Sequence, residues 1–205
     1  AGKARDCGLD RSMVLAYGQD DRVCAFTSLF AMLDVEKVER TACCILVDKE
    51  EIGSVGATGM HSQFFENFVR EILYAMGYKD ERTLKRTLQN STMLSSDVAA
   101  AHDPNYPEAS SPNNQAYLGC GVALLKYVGA RGKSGSNDAM RNTWRIKKHH
   151  GSKSCKDPIC RIRKSGFRRW WNDCYILANY GMQVVDFGVP VLNMHSPFEV
   201  SSKAD

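Results

Sequence analysis

The chain has 205 residues, 43% of them hydrophobic and 24% charged, with 16 Gly and 6 Pro. That balance belongs to a globular protein and excludes disorder, collagen or low complexity as the main state; no apolar run approaches the ~20 residues that span a bilayer, so no membrane partner is expected. The net charge of +4 is unevenly spread: residues 141–170 hold 11 Lys and Arg against the single acid Asp157, so that window carries +10 and the rest of the chain −6.

In chain order, the sequence opens on Ala1 in what reads as mid-domain sequence, which sets the expectation of an N-terminally truncated domain. Val23, Phe26, Leu29, Phe30 and Leu33 recur at helical spacing and predict an amphipathic helix over 22–34. The continuous apolar run 41–47, with its abrupt polar end, predicts a buried central strand. Gly53, Gly56 and Gly59 follow in a permissive loop. Phe64, Phe65, Phe68, Val69, Ile72, Leu73 and Met76 predict a second helix, closed by Gly77. A charged helix over 80–89 comes next, then a strand over 91–96 ending at Asp97. Residues 103–115 read as a loop, 122–128 as a strand, 184–187 as a short strand, and 191–195 as extended chain running into His195. Alternating strands and helices predict an α/β architecture, a mixed central sheet flanked by helices. Eight cysteines are too dispersed for a disulfide scaffold. Cys24, Cys43 and Cys44 fall in apolar runs that suit buried thiols, and a reducing cytoplasmic location is expected.

Polar residues gather where strands are predicted to end: Asp20 with Asp21, Glu50 with Glu51, Asp97, and His195. Open α/β sheets collect ligands at the carboxyl ends of their strands. Carboxylates with histidine suit zinc, manganese or cobalt. A two-metal hydrolytic site needs a bridging carboxylate, further ligands for each ion and a base for water. Asp20, Glu50, Glu51, Asp97 and His195 are of the right types. Solvated acids and a surface histidine are the competing reading from spacing alone.

The strings GQDDRVCAFTSL (18–29), LVDKEEIGSVGATG (46–59), SSDVAAAHDPNY (95–106), RGKSGSNDA (131–139) and VVDFGVPVLNMHSPFEVSSKAD (184–205) resemble the aspartyl aminopeptidase / vacuolar aminopeptidase I family of co-catalytic zinc metallopeptidases. The resemblance implies the C-terminal part of a zinc-peptidase (phosphorylase/hydrolase-like) catalytic domain spanning 1–205. It implies two zinc ions, with Mn or Co as alternatives, and removal of N-terminal residues from peptide substrates. Asp20 is similar to the metal-bridging carboxylate, joined in the family to the following residue, Asp21, by a cis peptide; Asp21 would orient the ligands. Glu50 is similar to the general base, Glu51 and His195 to ligands of one metal, and Asp97 to a ligand of the other, whose histidine lies upstream in the family. Lys126 resembles a lysine that holds substrate. His61 and His102 are expected to be structural or exposed. The family also implies a homo-oligomer when full length.

Residues 140–174 depart from that resemblance. A local frameshift there, with the register kept on both sides, accounts for the basic block and for the clustering of Trp144, Trp170 and Trp171. Two alternatives stand beside it. One is a nucleic-acid-binding module through the basic segment 141–170, with the tryptophans stacking on bases. The other is a structural zinc on His149, His150, Cys155 and Cys160. If 140–174 is foreign to the working surface, no nucleic-acid partner is expected. An inactive truncated family member is a further alternative to the enzyme.

Overall fold

A computed structural model of the chain describes residues 2–109, 115–125, 160–162 and 174–205. In chain order these form β1 (Arg5–Cys7), β2 (Met13–Ala16), α1 (Gln19–Leu33), a one-turn 3-10 helix (Glu50–Ile52), α2 (Phe64–Ala75), α3 (Glu81–Gln89) and β3 (Thr92–Ala100). A second 3-10 turn (Pro107–Ala109), β4 (Ala123–Leu125), β5 (Cys160–Ile162), α4 (Cys174–Ala178), β6 (Gln183–Leu192) and β7 (Glu199–Ser202) complete them.

The strands make one mixed sheet in the order β1-β2-β7-β6-β4-β5, with β3 paired to β6. β6 is the spine. β3 runs parallel to it through nine register pairs, from Thr92 opposite Gln183 to Ala100 opposite Val191. On its other edge β6 takes β4 and then β7, both antiparallel. β2 pairs with β7 and β1 with β2, antiparallel in each case, so the N-terminal hairpin is joined to the last strand.

Strand alternation divides the core between two faces. Val184 faces one side, in a buried cluster with Phe65 and Leu73 of α2, Leu84 and Leu88 of α3, and Ile176 and Leu177 of α4. Val189 and Val191 face the other, where they meet Val98 of β3 and Cys24 of α1. The helices form where the sequence places them. Gly77, at φ +92 just past α2, takes a backbone conformation that costs a side-chain-bearing residue more. Asp80 caps α3: its Oδ1 accepts the Thr83 N–H at 2.9 Å. Arg70 ties α2 to α3 through Glu66 and Glu81, at 2.9 and 2.5 Å.

Four sequence expectations need correction. The run 41–47 is not a strand. A strand needs a ladder partner for its backbone, and no described strand lies beside it. It borders instead a cavity of about 1800 Å³, lined by 41–52, by 90–97 and by the inward residues of α1 and α2. Cys43 is accordingly exposed and Cys44 only half-buried, whereas Cys24 is buried. The strand expected to stop at Asp97 continues to Ala100, and 184–187 belongs to a ten-residue strand, because β3 and β6 zip along their whole length. Finally, Phe26, Phe30 and Leu33 on α1 are exposed; the helix meets the sheet mainly through Cys24. Cys7, Cys24, Cys43, Cys44, Cys120 and Cys174 are free. Among the described residues no helix is long and apolar enough to cross a membrane. Apart from 160–162 the basic segment lies outside the described residues, as do its tryptophans, His149, His150, Cys155 and Lys126.

Candidate metal centre

Four segments bring their polar ends together. Gly18, at φ +67, turns the chain out of β2 into α1. Asp20 and Asp21 follow at the start of α1 with non-helical backbone angles, joined by a cis peptide bond. Asp97 sits in β3, in register with Gly188 of β6. His195, at φ +66, lies on the connection between β6 and β7.

The acidic pair Glu50 and Glu51 rides on the 3-10 turn of a tightly wrapped loop, 48–62. Lys49 (φ +72), Gly53 (φ +99) and Ser54 (φ +58) reverse the chain. The Ser54 N–H donates to the Lys49 carbonyl at 2.7 Å, and the Ser54 carbonyl accepts the His61 N–H at 3.0 Å. Gly59 passes so close that a Cβ there would stand 2.2 Å from the Ser54 carbonyl oxygen. His61 then reaches the Tyr175 hydroxyl of α4 at 2.7 Å. His61 is exposed.

Two groups of ligand atoms result, each within 4.8 Å, and they share Asp20. One is Asp20, Glu51 and His195; the other is Asp20, Asp21 and Asp97. His195 Nε2 lies 2.9 Å from Asp20 Oδ2 and 2.8 Å from Glu51 Oε1. Glu50, half-buried, stands outside both groups. His102 is also outside them, its ring tilted against Tyr117 at 5.2 Å. All the carboxylates and the histidine expected at the metals therefore converge; Lys126 lies outside the described residues.

Burial, and after it crowding of like charge, governs the electrostatics. Burial, and then the neighbouring Glu51 charge, push the Asp20 carboxyl up to about 6, against the pull of His195. Burial, and then Asp97, push Asp21 up to about 8. For His195 partial burial works the other way, but Glu51 and Asp20 outweigh it and its pKa is raised. Burial, with Asp21 beside it, lifts the Cys24 thiol far above the usual range, so it is no nucleophile. The Asp21 Oδ1 atom is buried with no hydrogen-bond partner. An orphaned carboxylate oxygen and mutually repelling acids are what a bound cation would relieve. The donor set of carboxylate oxygens and one imidazole nitrogen fits zinc.

Sequence reasoning missed Glu199. This side chain on β7 is 2% exposed, and its carboxylate accepts the backbone N–H of Asp20 at 3.0 Å and of His195 at 2.8 Å. Its signal was faint: an acid four residues beyond His195, in a strand too short for alternation to reveal. Gln19 was missed too; its Nε2 donates to the Glu199 carbonyl at 2.7 Å.

Known proteins resemble the chain in sequence and fold. A probable M18 family aminopeptidase 1 of Clostridium acetobutylicum is 53% identical over the whole chain, and one of Thermotoga maritima is 42% identical over 98% of it. The crystal structure of aminopeptidase I from Clostridium acetobutylicum superposes with a TM-score of 0.84 at 51% identity, and the Thermotoga maritima M18 aminopeptidase structure with 0.89 at 38%. Each superposition covers all of this chain but 44% and 46% of the other, so the chain spans less than half the length of these relatives. The sequence matches the family described as Aminopeptidase I zinc metalloprotease (M18) across residues 1–205, and the chain belongs to that family.

Proposed function

We propose that the chain carries most of the active centre of a zinc-dependent aminopeptidase. The observation that carries this reading is the convergence of Asp20, Glu51 and His195, with Asp20 shared by a second acidic group that includes Asp97. In it Asp20, Glu51 and His195 would hold one zinc ion, and Asp20 with Asp97 would help to hold a second. Bound zinc supplies Lewis acidity, lowering the pKa of water toward ~7 and polarising a carbonyl. Glu50 accepts the proton from the attacking water and delivers it to the leaving amine. Glu50 is adjacent to Glu51 in the chain and stands outside both ligand groups. Asp21 orients Asp20 from behind. Lys126 holds the peptide substrate. Asp20 and Asp97 offer only oxygens, so that site needs a further nitrogen ligand to match the other in zinc affinity. Self-association of the full-length protein belongs to the same proposal, and the exposed Phe26, Phe30 and Leu33 of α1 supply apolar area for it.

The test compares the full-length protein with its Glu50→Gln variant for zinc content and for release of N-terminal residues from peptides. Retention of zinc with loss of turnover by at least about 10²-fold is expected. A zinc-loaded wild type that cleaves no peptide, or a variant as active as wild type, would overturn the assignment.

A further inference from the structure

Two buried side chains join the ends of the chain behind the metal centre. Glu199 sits at the start of β7, where its backbone pairs with Ala16 of β2. Its Oε2 accepts the Asp20 N–H and its Oε1 the His195 N–H, so each oxygen holds one of two residues separated by most of the sequence. Gln19 completes the joint. Its amide donates to the Glu199 carbonyl at 2.7 Å and the Val14 carbonyl at 3.2 Å, and its oxygen accepts the Ser201 hydroxyl.

These bonds bear on residues whose backbone is unusual. His195 has φ +66, a region a non-glycine residue occupies at some cost. Asp20 departs from helical angles at the first turn of α1. Neither N–H is satisfied by regular secondary structure, and a buried carboxylate makes strong bonds to both. Glutamine could not replace it. A side-chain amide has one acceptor oxygen, so one of the two N–H groups would face an NH2 donor.

We propose that Glu199 is a positioning residue that sets the backbones of Asp20 and His195 at metal-binding separation before zinc arrives. The inference rests on the zinc reading of the site. Glu199 is in neither group of ligand atoms. It acts through the two residues it holds, as outer partners of metal ligands do elsewhere. Without it each ligand has to be ordered at the moment of binding, and affinity falls by the cost of that ordering.

The experiment measures zinc affinity of the full-length protein by competition with a chromophoric chelator, for wild type and Glu199→Gln. A loss of about 10–100-fold is expected, with kcat recovering toward wild type once zinc exceeds the shifted Kd. A folded variant with wild-type zinc affinity overturns the proposal. Should the variant not fold, amide hydrogen exchange on metal-free wild type decides: the Asp20 and His195 amides are expected to be protected, and exchange at the rate of exposed loops overturns it. A wild type that binds no zinc would instead overturn the zinc reading, which separates the two failures.

Discussion

Replacing Gly59 by alanine adds one methyl group at the tightest point of the loop that presents Glu50 and Glu51. The new Cβ would lie 2.2 Å from the Ser54 oxygen, 2.5 Å from the Ser54 carbonyl carbon and 3.2 Å from the Val55 nitrogen, all backbone atoms. Ordinary contact begins near 3.4 Å, so the two strands of the loop have to part by about 1 Å. Ser54 cannot yield alone. It is 2% exposed and bonded through its N–H to Lys49 and through its carbonyl to His61. Overpacking costs about 1–3 kcal/mol and a lost hydrogen bond about 1 kcal/mol, so a destabilisation of about 3 kcal/mol is expected. The displacement passes to Glu51, and zinc affinity should fall by about tenfold or more. Denaturant unfolding of metal-free protein reads the first effect and chelator competition the second. Gly77→Ala is the control: nothing lies within 4 Å of its Cβ, and only its φ of +92 is unfavourable. It should cost about 1 kcal/mol and leave zinc affinity unchanged. If Gly59→Ala is no worse than that control and binds zinc like wild type, the rigid wrapping of the loop is wrong.

Three further outcomes follow from the same geometry. In metal-free protein Asp20 and Asp21 hold protons to about pH 6 and about pH 8, against 3.8 for an unperturbed aspartate; the folded state binds more protons across that window, and so does His195 above 6.5. Stability without metal should therefore fall as pH rises from about 4 to 8, and zinc affinity should rise, because zinc displaces those protons; chelator-treated unfolding at pH 5 and pH 8 with the opposite slope would contradict it. Asp80→Ala removes the cap of α3 and should cost about 1 kcal/mol, read as a lowered Tm. Leu88→Ala, at a side chain 2% exposed in the main cluster, should cost about 3 kcal/mol, whereas Phe64→Ala, 67% exposed, should stay within about 0.5 kcal/mol.

Helices α2 and α3 were legible because their signals are local. Leu84 and Leu88 are one turn apart, Asp80 bonds three residues ahead, and Gly77 needs only its own φ. The sheet was less so. β1, β2 and β7 are three or four residues long, and nothing within four residues distinguishes a strand from extended loop. Residues 41–47 failed for the opposite reason: the local signal was strong and the partner that would make it a strand is not among the described residues. The length of β6 depended on its neighbours, since nine β3 residues keep 183–191 straight through Gly188 and Pro190.

The site divides in the same way. Asp20, Glu51, Asp97 and His195 could be chosen because metal chemistry admits few residue types and because the motifs resemble a family that uses them. Glu199 and Gln19 could not, because holding a backbone N–H is something any acceptor can do, and only tertiary geometry says which one does. Yet those bonds explain how four acids come to share one corner of the fold. Asp20, Asp21, Glu51 and Asp97 repel one another, and His195 opposes Asp20 and Glu51 with positive charge. Such a cluster is unfavourable without its cation, so its separation has to be imposed by groups that are not ligands. The wrapped loop around Gly59 fixes Glu51, β6 fixes Asp97 through β3, and Glu199 fixes Asp20 against His195. The last adds a buried acid beside the cluster, and its repulsion of Asp20 is offset by the two backbone N–H bonds that it accepts.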